Sequence, residues 1–263
     1  PLGVGTPANP IESTLTNLEG FGGTGGFFLA ESTALNIGSA TVALPGVQTT
    51  GADVTITTGG AGNSITLTDS VTTGSTTSGT VSLTATGSIL DGGDVSGPDI
   101  TAANFVAIAN IAVAGAVGSA ANPIDTNITR IEGAAGTGGF FATDTDASFD
   151  IAGLTVGGIG ATVGVSTVGA DISLTASNNN LTIAELVTTG GQVSGDRRLT
   201  ATTGSILDGQ AGAGSDVTGL ERKSGVPLFI QLERALVDEI HGGALRAGDR
   251  LPSRVFPKWK VKL

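Results

Sequence analysis

Along most of this chain, apolar and polar positions alternate strictly over short runs. Val54-Thr55-Ile56, Ile65-Thr66-Leu67, Val81-Ser82-Leu83 and Ile172-Ser173-Leu174 each place aliphatic side chains on one face and Thr or Ser on the other. A period of two predicts half-buried β-strands, and β-branched Thr suits the pleated, solvated side. The runs are separated by Gly, Asn, Asp and Ser. These residues supply the positive φ angles and side-chain-to-backbone hydrogen bonds of tight turns. The pattern therefore predicts an all-β fold of many short strands.

The strands belong to a long internal repeat. Ala8-Asn9-Pro10-Ile11 returns as Ala121-Asn122-Pro123-Ile124, and Gly23-Thr24-Gly25-Gly26-Phe27-Phe28 returns as Gly136-Thr137-Gly138-Gly139-Phe140-Phe141, both 113 residues on. Gly51-Ala52-Asp53 matches Gly169-Ala170-Asp171 at offset 118, Val71-Thr72-Thr73-Gly74 matches Val187-Thr188-Thr189-Gly190 at 116, and Gly87-Ser88-Ile89-Leu90-Asp91-Gly92 matches Gly204-Ser205-Ile206-Leu207-Asp208-Gly209 at 117. Conserved order with a drifting offset means loops of variable length between fixed rungs. Scarce large core residues, explicit repetition and tolerance of loop drift favour a right-handed parallel β-solenoid (a β-helix). Tandem β-sandwiches are the competing arrangement.

Composition refines this picture. Gly supplies 43 of 263 residues, aromatics are 4%, and Cys is absent. A thin core follows, and a disulfide framework or thiolate metal site is excluded. No apolar run reaches the roughly 18 residues of a membrane span; Phe105 to Val117 is broken by Asn110 and Gly115. No signal peptide is visible. The chain opens at Pro1 rather than Met, which reads as a fragment or a processed piece.

Charge divides the sequence. Residues 1–219 hold three basic residues (Arg130, Arg197 and Arg198) against 18 acidic ones, a net −15, whereas residues 220–263 hold nine basic and five acidic, a net +4. All four Lys, His241 and Trp259 lie in that second segment. Two domains are expected: a β-solenoid over 1–219 built from two copies of a ~115-residue repeat, and a helical tail over 220–263.

Several motifs carry specific structural expectations. In GTGGFF, adjacent Phe residues point to opposite faces of a strand, so one of Phe27 and Phe28 is expected in the core and the other against a loop or solvent. Asn-Pro reads as a corner that sets where the next strand starts. SILDG and ANPI are expected at successive corners, with Phe105 to Val113 supplying apolar rungs between them. Arg197 aligns with apolar Val81 and Arg198 with Ser82, so that rung is expected to be distorted or to lack its inward face.

ANPI[DE], GTGGFF, Ser32-Thr33-Ala34-Leu35-Asn36-Ile37-Gly38 and LTATGSILDG together resemble the repeats of filamentous haemagglutinin-type bacterial exoproteins and related surface adhesins. The resemblance covers roughly residues 5–219. It implies a parallel β-helix, export, and an extracellular or bacterial cell-surface location.

The tail has a different character. Ser224 and Pro227 form a helix start, Phe229, Leu232, Leu236 and Ile240 form a stripe at helical spacing, and Gly242-Gly243 ends it. Pro227-Leu228-Phe229, Gln231-Leu232, Ile240, Gly243, Leu245, Gly248-Asp249 and Leu251-Pro252-Ser253 resemble the opening of a GntR-type winged helix-turn-helix domain. Pro257 disfavours the second helix of that family, and a recognition helix is missing. Without it no base edges are read, so the segment reads as a truncated or fused remnant and nucleic acid is not an expected partner.

Catalytic chemistry finds little support. A Ser-His-Asp arrangement needs a placed His, and His241 reads instead as a helix C-terminal residue favoured by the dipole. Asp91, Asp94 and Asp99 are the densest acidic cluster and Asp91 recurs as Asp208, a pattern to weigh against paired-carboxylate glycoside cleavage or calcium binding. Asp in Gly-rich turns is ordinary turn chemistry, and the calcium-binding nonapeptide is absent. No catalytic, cofactor or metal residue is assigned and no enzyme is expected. The expected function is a structural or adhesive module of a secreted or surface exoprotein, meeting a host, neighbouring-cell or matrix component. A GntR-type DNA-binding regulator and a carbohydrate-active β-helix enzyme are the alternatives.

Overall fold

The computed structural model describes residues 2–38, 45–93, 97–146, 148–152, 154, 164–190 and 195–209. Within them, apart from one 3-10 turn at Gly23–Gly25, every regular element is a strand. Every ladder between strands is parallel. Parallel pairing without a crossover helix requires the sheet to curl on itself, giving a β-solenoid-like fold in which each strand meets its neighbour one coil later. Sandwiches are built largely from antiparallel hairpins, and none of the described ladders is antiparallel. The predicted helix, the GntR-like segment, His241 and Trp259, together with Asp94, lie outside the described residues.

The alternation seen in the sequence becomes a set of inward rows, three of which illustrate the stacking. One runs Leu29, Ile56, Leu83, Ala107, Gly133, Val165, Val187. A second runs Leu35, Ile65, Ile89, Val117, Phe140, Ile172, Arg197. A third runs Val47, Val71, Ile100, Thr126, Asp144, Ala176, Ala201. Within the ladders the backbone hydrogen bonds run from coil to coil, and inward side chains stack on their counterparts one coil away. Ile56, Ile65, Val81, Leu83, Ile172 and Leu174 are fully buried. Apolar burial stabilises by about 25 cal/mol per Å², so a narrow tube of aliphatic rows suffices as a core.

The two copies are not stacked face on face. In the first, a long face (Phe27–Glu31, Val54–Thr58 and Thr80–Thr84) is followed by two short ones (Leu35–Ile37, Ile65–Leu67, Ile89–Asp91; then Val47–Gln48, Val71–Thr72). In the second copy the long face is Gly139–Asp144, Ile172–Ala176 and Arg197–Ala201. That long face continues the two short rows of the first copy, with Phe140 beyond Val117 and Asp144 beyond Thr126. Conversely the first copy's long face leads through Ile100–Ile108 into the long strand Ile124–Ala135. Arg130 and Ile131 there begin one short face, and Gly133 to Ala135 the other. The strand Ile100–Ile108 bridges the change, pairing at Ile100 with Val71 and at Phe105 with Val81.

The Asn-Pro corners form as expected. Asn9 and Thr6 exchange backbone hydrogen bonds of 3.1 and 3.0 Å, as Asn122 and Ser119 do at 3.2 and 2.8 Å. Strands then begin at Ile11 and Ile124, directly after the prolines. Two expectations need correction. SILDG forms a short face rather than a corner, with Ile89 fully buried and Leu90 outward. Only the start of Phe105 to Val113 builds rungs: Phe105 and Ala107 are buried, whereas Ile111 and Val113 sit on an exposed turn. The Phe pair divides as expected: Phe27 joins the core, while the outward Phe28 folds back over the turn at Gly26, where a Cβ would lie 2.6 Å from its ring, so both are buried. The Arg197–Ala201 strand keeps full register with Ile172–Ala176, so two arginines do not distort the ladder. Arg197 does replace an aliphatic side chain in the second inward row, and its Nη1 donates to Thr189 Oγ1 at 3.2 Å.

Candidate contact surface

Outward positions form ladders of short polar side chains. Gln48, Thr72, Thr101 and Asn127 stand in line on one face, and Thr143, Thr175 and Thr200 on another. Adjacent coils are separated by about 4.8 Å, which lets neighbouring groups hydrogen-bond along the ladder. Asn36 Nδ2 donates to Asn17 Oδ1 at 3.2 Å, and Thr68 Oγ1 donates to Asn36 Oδ1 at 2.5 Å.

A corner of the first copy carries two open recesses. One of about 520 Å³ is lined by residues that include Glu12, Ser13, Glu31, Thr57 and Gly59. The other, of about 640 Å³, is lined mainly by small residues, among them Gly60, Gly62, Gly87 and Gly115, with Ile111 and Val113 at its exposed lip. The amide of its lining residue Asn110 is already engaged, Nδ2 donating to Thr86 O at 2.7 Å, as is that of nearby Asn63, whose Nδ2 donates to Ser32 O at 3.0 Å and to Gly59 O at 2.5 Å.

Carboxylates are buried at equivalent positions in the two copies. Glu31 ends one long face and accepts hydrogen bonds from Ser13 Oγ (2.5 Å), Leu15 N (2.8 Å), Ser32 N (2.9 Å), Thr33 N (3.0 Å) and Thr33 Oγ1 (2.8 Å). Asp144, 113 residues later, accepts from Thr126 Oγ1 (2.8 Å), Ile128 N (3.0 Å) and Asp146 N (2.9 Å). Each acid ties the preceding coil to the turn that follows its own strand. Burial raises both, but at Glu31 the bonds from Ser13, Leu15 and Thr33 outweigh it and the carboxyl falls below its ordinary value. At Asp144 burial wins over the bonds from Ile128, Thr126 and Asp146, the charge of Asp146 adds to it, and the pKa is pushed up to about 6. The sequence signal was the acid four residues after the first Phe of each FF pair, a recurrence that reading for strands alone passes over.

The described members of the Asp cluster, Asp91 and Asp99, are each engaged in separate local contacts. Asp91 Oδ1 accepts from Gly93 N at 2.6 Å in a turn, and its backbone carbonyl accepts from Asn122 Nδ2 at 3.3 Å. Asp99 is buried, accepting through Oδ2 from Asp125 N at 2.9 Å and through its carbonyl from Val71 N at 2.7 Å. Asp208, the counterpart of Asp91, is exposed on a short face. Among the described residues no group of three or more His, Cys, Asp or Glu is placed to hold a metal ion. Among the described residues the accessible chemistry is therefore chiefly hydroxyl and amide groups on flat ladders, with one recess of mainly small residues and another bordered by Glu12 and Ser13 at one corner. No family model, curated protein or solved structure matches this chain.

Proposed function

We propose that residues 1–219 form a right-handed parallel β-helix of the filamentous haemagglutinin type, and that the protein is a non-catalytic structural and adhesive module of a bacterial secreted or cell-surface exoprotein. Connections between parallel strands of one sheet are right-handed in nearly all proteins, which supports the handedness. The observation that carries the functional reading is the run of outward polar ladders, such as Thr143, Thr175 and Thr200, set on a body whose buried carboxylates Glu31 and Asp144 serve its own turns. Identical short groups repeated along an axis suit many weak contacts with a host, neighbouring-cell or matrix surface, where repetition multiplies modest affinity.

Beads coated with the full chain test this reading against cell layers and matrix-coated plates. Adhesion above that of albumin-coated beads, reduced by the triple change Thr143→Lys, Thr175→Lys and Thr200→Lys, is the expected result. Adhesion equal to the albumin control on every surface would sink it.

A further inference from the structure

The inward positions that open the first copy carry the same kinds of residue as those that open the second, in a different environment. Ile11 is 48% exposed and Leu15 41%, whereas their counterparts 113 residues on, Ile124 and Ile128, are both 0% exposed. At Ile128 the strand Ile100–Ile108 makes the difference. It lies parallel against the second copy, with Ile100 beside Thr126, Ala102 beside Ile128, Phe105 beside Ile131 and Ala107 beside Gly133. Ala109 N donates to Ala134 O at 2.9 Å at the end of that ladder.

In the first copy, Ile11–Ser13, Asn17–Leu18 and Gly20–Phe21 pair forward, with Leu29–Glu31, Asn36–Ile37 and Val47–Gln48. No other named strand among the described residues pairs with them. The correspondence reaches further back: Val4 bridges Phe27 in parallel just as Val117 pairs with Phe140. Open edges are normally blunted by inward charge, proline or a covering element. Here the edge acids Glu12 and Glu19 occupy the positions of Asp125 and Glu132, which coexist with a covering strand in the second copy. They do not block one.

We infer that the edge formed by residues 11–21 is a docking edge for one further coil of this same repeat, added in parallel register. The incoming strand has the pattern of residues 100–108. It sets an aliphatic residue beside Ser13, a small apolar one beside Leu15, an aromatic one beside Leu18 and Ala beside Gly20. The ladder supplies main-chain hydrogen bonds, and the inward side chains supply selectivity, as in strand addition generally. Gly20 leaves room for the incoming backbone: it is the counterpart of Gly133, where an added Cβ would meet the Ala107 carbonyl. This edge pairing follows from the ladders and does not depend on adhesion.

The test joins a copy of residues 97–117 to Gly5 of the full chain in place of residues 1–4, recreating the Val117–Gly118 junction. Hydrogen exchange is followed on the segment 11–21. Slowing of at least about tenfold, lost again when Phe105→Asp is placed in the added copy, is the expected result. A synthetic peptide of residues 97–109 added to the unmodified chain is a second arm that needs no new folding, and protection of the same segment is expected there. Unchanged exchange in both arms overturns the inference. So does a concentration-dependent dimer of the unmodified chain that Leu15→Lys abolishes, since a second copy would then own the edge.

Discussion

Phe27 lays its ring over Gly20: a Cβ built on Gly20 would lie 2.5 Å from Phe27 Cε2, and its three nearest atoms all belong to that ring. The relation recurs between Phe140 and Gly133, where the corresponding separation is 2.6 Å. Each inward Phe is thus wider than a Val or Leu rung and is accommodated because a glycine in its own solenoid wall leaves room. Two residues that look unrelated in the sequence, seven positions apart, form one packing unit.

Gly20→Ala should therefore destabilise by about 1–3 kcal/mol, the usual cost of overpacking, and Phe27→Leu in the same chain should recover part of the loss. Gly133→Ala should cost more and resist rescue by Phe140→Leu, because the backbone carbonyl of Ala107 also stands in the way. Urea unfolding midpoints of the four variants check the ordering.

The two buried acids should give opposite pH dependences. Asp144 has a folded pKa of about 6 against an ordinary 3.8. The folded state thus holds that proton more tightly, and the stabilisation this confers is full below about pH 4 and lost as pH rises to about 6. The difference between the limits is about 3 kcal/mol at 1.36 kcal/mol per unit. Asp144→Asn should remove this slope. Glu31 is lowered instead, so its contribution is present at neutral pH and lost on acidification, and Glu31→Gln should flatten the acid limb. Unfolding midpoints from pH 3.5 to 7.5 separate the two.

Glycine at the Asn-Pro corner is required by conformation. Gly118 has φ 60° and Gly5 has φ 64°, and an added Cβ would lie 2.5 Å from Phe141 O and 2.6 Å from Phe28 O respectively. The left-handed penalty alone is about 1–2 kcal/mol. Gly118→Ala, in the middle of the solenoid, should lower the global midpoint by at least that much. Gly5→Ala, in the first coil, should act through local fraying, seen as faster proteolysis near the N-terminal residues with little change in the midpoint.

Ser82 Oγ and Thr84 Oγ1 are enclosed without a hydrogen-bond partner. Removing an unsatisfied buried hydroxyl relieves its desolvation cost of about 1–3 kcal/mol. Ser82→Ala and Thr84→Val should each be neutral to stabilising by about 1 kcal/mol, in contrast to Thr126→Val, which deletes a bond to the Asp144 carboxylate. Thermal unfolding of the three variants shows whether the sign differs.

Sequence alone determined the strands, their inward positions and the Asn-Pro corners. Alternation such as Val54-Thr55-Ile56 encodes the parity of each side chain, and the residues that start a turn, Gly5 and Asn9 or Gly118 and Asn122, carry the local conformation with them. Tertiary structure decided which face each strand occupies. The repeat places Leu29 and Ala142 at the same position, yet Leu29 leads along its row to Gly133 while Ala142 stands beside Ile124. Parity has a period of two and is fixed residue by residue. Position around a coil accumulates over every turn before it, so the strand Ile100–Ile108 between the copies shifts all that follows. The same accumulation sets Arg197 in an apolar row, covers Ile124 and leaves Ile11 at an open edge.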